Sequence, residues 1–408
     1  MRELFLLDPS LHFLNHGSFG ACPAEVMAAF QEWQRKLEQN PVEFLGRRSA
    51  QLLAHARAIL AREVGASPED LVYIPNATTG VNMVARSLPL QEGDEILTTD
   101  HEYGACDNTW NFVCQHTGAK YVPVQIPLPF QAEEFTDRIW AGVTPKTRVI
   151  YLSHISSTTA LIFPLAELCA RAREAGILTL IDGAHAPGHI PLQLDALGAD
   201  FYTGNCHKWL CAPKGAAFLH VRPEHHRAVD ASVISWGYNA DLAGHIGFDA
   251  YLGSTDLARR LQWQGTRDIS AFLSVPAAVE FQVRHDWARV RVACHALAAQ
   301  ALHRICALTG LAPVCIDSDF GQMAVIPVPS MNPHELKTTL FERYRIEVPV
   351  TAHGDQIFIR ISVQGYNTER DVDALVDAVS EIYGLTRTPP QRHGGSNLVC
   401  GPRPDVAL

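Results

Sequence analysis

Apolar residues recur at helical spacing in two stretches near the N-terminus, AEVMAAFQEWQRKLE (24–38) and AQLLAHARAILAREV (50–64), both rich in good helix formers. Beyond them the apolar runs shorten. LVYI (71–74), DEILTTD (94–100), KYVPVQI (120–126), TRVIYLSHI (147–155), ILTLID (177–182), DFYTGN (200–205) and AAFLHV (216–221) read as strands. Helix-like segments such as LAELCARAREAG (165–176) lie between several of them. Continuous apolar strands alternating with helices predict an α/β fold: a mostly parallel sheet covered on both faces. From about residue 270 the pattern changes. A long helical region (271–309) leads to a strand (323–329), a helix (333–344), the strand pair RIEVPV and QIFIRIS, and a closing helix (368–383). That is the signature of a smaller α+β C-terminal domain. The expected organisation is an N-terminal segment (1–22) that contributes to the active site, a large domain (23–270), a small domain (271–385) and a Pro/Gly-rich flexible tail (386–408).

In parallel sheets of this kind ligands gather beyond the carboxyl ends of the strands, so polar residues closing a strand carry the information. Four strand ends do so. ILTLID ends on Asp182 and runs on through GAHAPG, which includes His185. DFYTGN leads through Thr203 and Asn205 into His207, Lys208 and Trp209. Asn76, Ala77, Thr78 and Thr79 form a small-residue turn into a helix near Gly80, where free backbone N–H groups make a phosphate cradle. His101 and Tyr103 follow the strand at 94–100. A lysine in a segment that otherwise reads as core is unusual, because lysine is seldom buried without a partner. A lysine amine, a carboxylate, a phosphate nest and an aromatic ring are together what pyridoxal phosphate needs.

The run SHISSTTALIFPLAELCARAREAGILTLIDGAHAPG followed by GNCHKWL resembles the class V aminotransferase family of fold-type I enzymes, and within it the isopenicillin N epimerase-like group. FLNHGSFGACP, NATTGVNMVARSL, WQGTRDIS and the RYRIEV…IRIS close fit the same group, in order, from about residue 10 to 385. The resemblance implies a fold-type I transferase fold and a pyridoxal 5'-phosphate cofactor. It implies Lys208 as the lysine that condenses with the cofactor aldehyde, Asp182 as the partner of the pyridine nitrogen and His185 beside the phenolic oxygen. His207, Ala77 and Thr78 would reach the phosphate. Tyr103 would stack on the ring, with His101 as the fallback. Gly265 and Thr266 would approach the phosphate of a neighbouring subunit, which implies a homodimer. Arg360 would bind the substrate α-carboxylate, a bidentate task suited to guanidinium. Asn15 and Ser157 would line the substrate side, with Ser157 within reach of the cofactor. The chain departs from the family pattern at Asn205, where a serine is common and where Thr203 would compensate, and at Ala160, where a glycine is common.

Composition narrows the partners. Charged residues make up 19% of the chain and its formal net charge is −10, with both signs intermixed, which speaks against nucleic acid and against a basic membrane-docking face. No apolar run would span a bilayer. The 10 cysteines form no CxxC pair, the pattern of reduced thiols in a cytoplasm. Asp182, His185, His189 and His154 also invite a metallohydrolase reading, but their spacing matches no zinc motif, and no metal is expected there. The pyridoxal set leaves three reactions on a small amino-acid-like substrate: epimerisation, which the resemblance favours, β-elimination by a C–S lyase, and transamination. A cysteine desulfurase would need a nucleophilic cysteine shortly before Arg360. ERYRIEVPVTAHGDQIFIR has none, and Cys315 lies too far upstream. The ISWGYNADL segment around Trp236 and Tyr238 could close over the site.

Overall fold

In a computed structural model, residues 1–238, 253 and 255–385 are described. The expected tail at 386–408, and part of the segment after Tyr238, lie outside the described residues. The predicted strands assemble into a seven-stranded sheet. Its strands are β2 (Leu71–Ile74), β3 (Glu95–Thr99), β4 (Lys120–Val124), β5 (Thr147–Ser153), β6 (Leu178–Gly183), β7 (Phe201–Asn205) and β8 (Ala217–Val221), following β1 (His12–Phe13) in chain order. Their order across the sheet is β2-β8-β7-β6-β5-β3-β4. β3 to β7 pair in parallel, and β8 runs antiparallel to both neighbours. β7 and β8 are buried along their whole length, so they lack the alternation of a half-exposed strand, and their polar members Thr203, Asn205 and His220 are buried with the rest.

Two hydrophobic layers cover this sheet. One packs the Ala24–Gln39 and Ser49–Val64 helices on one face, through Val26, Leu53, Leu60 and Val64. The other packs the Ala77–Ser87 and Gly104–Thr117 helices on the opposite face, through Val81, Val84 and Trp110. Gly80 is required by close approach, since a Cβ there would lie 2.5 Å from Oγ1 of Thr203 on β7. Strand order reverses between β3 and β5, so the loops after β3, β5 and β6 diverge at their carboxyl ends and leave a crevice.

The C-terminal part holds a three-stranded antiparallel sheet of β9 (Met323–Val328), β11 (Val350–His353) and β12 (Gln356–Ser362), in the order β11-β12-β9. The expected pairing of RIEVPV with QIFIRIS is corrected here. The RIE end forms β10 (Ile346–Glu347), which pairs in parallel with β1, and only Val350 onward turns back along β12. Pro349 separates the two, because proline cannot donate to a ladder. The N-terminal segment thereby joins the C-terminal part: Ser362 N–H donates to Leu14 O at 2.7 Å, and Leu14 is buried among that part's core residues. The long helical region at 271–309 is interrupted. Helices run at Ser270–Leu273, Val275–Arg284 and Trp287–Thr309, broken at Ser274 and at Asp286, whose φ of 48° is left-handed.

Candidate active site

A cavity of about 580 Å³ opens at the crevice. Its walls come from the ends of β2, β5, β6 and β7, from the N-terminal segment at Gly17–Phe19 and from Arg360 on β12. Of the residues expected at the site, Ala77, Thr78, Tyr103, Ser157, Asp182, His185, Asn205, His207, Lys208 and Arg360 line it.

Lys208 follows β7 in a turn held down by the N-terminal segment. His16 Nε2 lies 3.0 Å from Lys208 O, and a Cβ on Gly20 would be 2.0 Å from His207 O. Burial, reinforced by the Arg360 charge and opposed by Asp182, brings the Lys208 pKa down to about 7. Its Nζ is 3.1 Å from His185 Nε2. On the other side of that ring, Trp209 Nε1–H donates to His185 Nδ1 at 3.3 Å. Indole nitrogen can only donate, so the His185 proton sits on Nε2, aimed at Lys208. Burial first, then the Lys208 and Arg360 charges, holds the His185 pKa well below the usual range, and the ring is neutral. The imidazole N–H therefore faces the Lys208 amine, whose lone pair can accept it once the amine is deprotonated.

Asp182 closes β6 and is 4% exposed. Oδ1 accepts from Ala184 N–H at 2.9 Å, while Oδ2 lies 3.6 Å from Cys106 Sγ and 3.5 Å from Tyr151 Oη. Burial raises its pKa, offset in part by the Ala184 N–H and by Lys208. A protonated ring nitrogen opposite this carboxylate would restore its charge.

At the other end, Asn76 caps the Ala77–Ser87 helix by accepting from Thr79 N–H at 2.8 Å. Asn205 Oδ1 accepts from Ala77 N–H at 2.9 Å, so this departure from the family pattern ties the end of β7 to the helix N-terminus. His207 Nδ1 donates to Ala216 O at 2.9 Å, and burial lowers its pKa to about 4. The neutral ring offers an unprotonated Nε2, which meets a phosphate only with a shared proton.

Arg360 is 5% exposed. Nη1 donates to the carbonyl and, at 3.1 Å, to the hydroxyl of Ser157, and Nη2 to Ser18 Oγ at 3.1 Å. Nε has no partner, and no carboxylate pairs with this guanidinium among the described residues. Asp355 does not neutralise it. An anionic ligand would compensate a buried cation left with neutral partners.

Other expected residues stand elsewhere. Thr203 is fully buried beneath Gly80 and donates to Phe218 O at 3.0 Å, so it does not reach the cavity and cannot compensate there for the serine. Asn15 stands one step behind the wall: it accepts from Ser18 Oγ at 2.6 Å and donates to Glu347 at 3.3 Å. The fallback His101 is fully buried behind the wall, with its ring nitrogens 2.8 Å from Thr159 Oγ1 and from Ile126 O. Gly265 (φ 98°) and the exposed Thr266 lie outside the cavity of their own chain. His154 and His189 are likewise not part of the lining; His189 stacks on Trp209 with ring centroids 4.0 Å apart.

Sequence reasoning missed several contributors. Ser18 shares Arg360 with Ser157, although it lies within the FLNHGSFG motif. Trp209 sets the His185 proton. Glu102, whose pKa burial pushes up to about 8, accepts from both the backbone and the hydroxyl of Ser153 on the cavity wall, at 2.7 and 2.6 Å. Ser18 and Trp209 lie in the FLNHGSFG and GNCHKWL motifs, but nothing local marks the partner that each of the three meets.

A doubly wound sheet of this order, with a pKa-depressed lysine and a buried strand-end carboxylate at one crevice, defines a pyridoxal-phosphate enzyme of fold type I. The donor set and the cavity size fit that cofactor. The family model for aminotransferase class-V matches residues 13–375, and the chain belongs to that family. It is 37% identical over 388 residues to an isopenicillin N epimerase of Amycolatopsis lactamdurans, covering 93% of this chain and 97% of that one. It is 28% identical over 413 residues to a probable chloroplastic L-cysteine desulfhydrase of Arabidopsis thaliana, covering 93% and 84%. The fold also matches the structure of a C-DES lysine-to-alanine variant with glycine covalently linked to its PLP cofactor. That match has a TM-score of 0.79 and 21% identity, and covers 93% of this chain and 99% of the other.

Proposed function

We propose that this enzyme is an amino-acid epimerase acting at Cα, with Lys208 as the base on one face. The observation that carries the reading is the pairing of a near-neutral Lys208 amine with a buried Arg360 that has no acid partner among the described residues. Together they can hold an amino acid by its carboxylate and leave its α-proton to an unprotonated amine. Pyridoxal phosphate, when bound, supplies an aldehyde for the substrate amine and a ring that takes up the electrons left on Cα. Asp182 would keep the ring nitrogen protonated. His185, with its proton on Nε2, would donate toward the phenolic oxygen. Asn205 would fix the Ala77–Thr78 turn and His207 would share a proton with the phosphate. Arg360, steadied by Ser157 and Ser18, would orient the carboxylate. The 37% identity to an epimerase along nearly its full length supports this choice of reaction.

β-Elimination by a C–S lyase is the second reading, favoured by the similarity to a desulfhydrase. A nucleophilic cysteine is not needed for it. Cys315 does not offer one, since burial pushes its pKa up to about 12.

We further propose a homodimer in which Thr266 completes the neighbouring phosphate site, because its own chain's cavity does not use it. The test of the reaction is incubation of the purified enzyme with a panel of amino acids in deuterated water. α-Deuteration with inversion is expected. Pyruvate or released thiol without inversion would transfer the assignment to elimination, and a keto acid would transfer it to transamination.

A further inference from the structure

At the edge of the main sheet opposite the cavity, three chemically unusual side chains converge. Asp70 ends the Pro68–Asp70 turn just before β2. Asp195 lies in the short helix Leu194–Leu197. His220 sits in β8, opposite Leu71 on one side and Tyr202 on the other. One donor atom from each lies within 4.8 Å of the others.

The histidine makes this more than an acidic cluster. His220 is 2% exposed; among the described residues its Nδ1 has no hydrogen-bond partner and its Nε2 has only a 3.4 Å contact with Asp195 Oδ1. That contact is long for a direct hydrogen bond or ion pair. An imidazole buried with so little partnering is costly unless something else fills the coordination. For metal bonds of about 2.1 Å, adjacent donors of a tetrahedral zinc site are about 3.4 Å apart.

Asp70 is 8% exposed and held from behind. His226 Nε2 lies 3.0 Å from Asp70 Oδ1 and 3.0 Å from Val221 O. The carbonyl can only accept, so His226 Nε2 carries a proton and donates. It serves to aim the Asp70 carboxylate, as outer-sphere groups do around metal ligands. Arg222, a cation close enough to bear on His220, is already paired with Asp200 at 2.9 Å. Asp195 is 57% exposed on its side chain, which gives an ion an entry path and leaves room for water as a fourth ligand.

We propose that Asp70, Asp195 and His220 bind one Zn²⁺-type divalent cation that staples the Leu194–Leu197 helix to the β2–β8 edge of the sheet. Two carboxylates and one imidazole suit a borderline ion; calcium and magnesium demand more oxygens than this corner offers. The site stands apart from the cavity and does not depend on the reaction assigned there.

The test uses holoenzyme stripped by a chelator, with its pyridoxal phosphate retained. Zn²⁺ titrated by calorimetry should bind at one equivalent per chain and raise the melting temperature. Co²⁺ should give a tetrahedral visible spectrum without thiolate charge-transfer bands, which separates this site from the cysteines. Asp195→Asn should weaken Zn²⁺ binding at least about 10-fold while leaving the metal-free melting temperature unchanged, and His226→Gln should weaken it about 10- to 100-fold. Undiminished Zn²⁺ affinity in Asp195→Asn, an octahedral Co²⁺ spectrum, or thiolate bands would each overturn the proposal.

Discussion

The Trp209 indole donates to His185 Nδ1 at 3.3 Å, and this one contact decides which His185 nitrogen faces Lys208. A residue adjacent to the lysine in sequence thus reaches it again through the imidazole. Trp209 is itself pinned: its carbonyl accepts from Gln282 Nε2 at 2.8 Å and its ring stacks on His189. Trp209→Phe should keep the ring packing and free the His185 tautomer. The expected loss is about 5- to 10-fold in α-proton exchange, the worth of one neutral hydrogen bond, with an altered pH profile. An unchanged pH profile would reduce Trp209 to a packing role.

Lys208 has the strongest requirement. Lys208→Ala should abolish the borohydride-fixed cofactor adduct and lower α-proton exchange about 1,000-fold or more. Full turnover in that protein would refute the role assigned to this amine.

The depressed Lys208 pKa gives a pH prediction for the cofactor-free enzyme. Only the neutral amine attacks an aldehyde, so the rate of reconstitution with pyridoxal phosphate should rise with pH through a midpoint near 7. Burial is the largest cause and Arg360 the next, so Arg360→Gln removes a neighbouring positive charge. Its midpoint should move upward, as followed by stopped-flow absorbance.

Arg360 has a second signature. In Arg360→Gln, kcat/KM should fall about 100-fold for amino acids and much less for the corresponding amines, because only the former present a carboxylate. Equal losses for both would remove carboxylate binding from its role.

Acid stability follows from buried histidines. Burial lowers the pKa of His16 to about 3, of His189 to about 3 and of His154 to about 4, against 6.5 when unfolded. Between those values the unfolded chain binds more protons, so stability is present above pH 6.5 and is lost as pH falls from there toward about 3. A tenfold difference in proton affinity between the folded and unfolded chain is worth about 1.4 kcal/mol per group. The melting temperature should drop steadily over this window, and a flat profile would contradict the neutral buried state of these rings.

Much of this architecture is written in the chain as pattern. The strands at 71–74, 147–153 and 201–205 form where apolar runs predict them, because a strand buried on both faces cannot carry polar residues without announcing them. Lys208 and Asp182 are legible for the same reason: each is a charge in a segment that otherwise reads as core. The Gly104–Thr117 helix does not stand out in the sequence, since its mixed polarity leaves only a weak apolar stripe. The pairing of β10 with β1 is equally hidden, because pairing partners are chosen by long-range geometry rather than by local propensity.

The sequence by itself determined the α/β class, the family and the two ionisable groups at the strand ends, because burial patterns and unusual polar residues are local properties. Only the tertiary structure decided that Ser18 shares Arg360 with Ser157, that Trp209 orients His185, and that Thr203 turns away beneath Gly80. Those depend on side chains tens to hundreds of residues apart meeting at hydrogen-bond distance. Linear spacing does not encode such meetings; the packing of the sheet against the N-terminal segment and the C-terminal strands creates them.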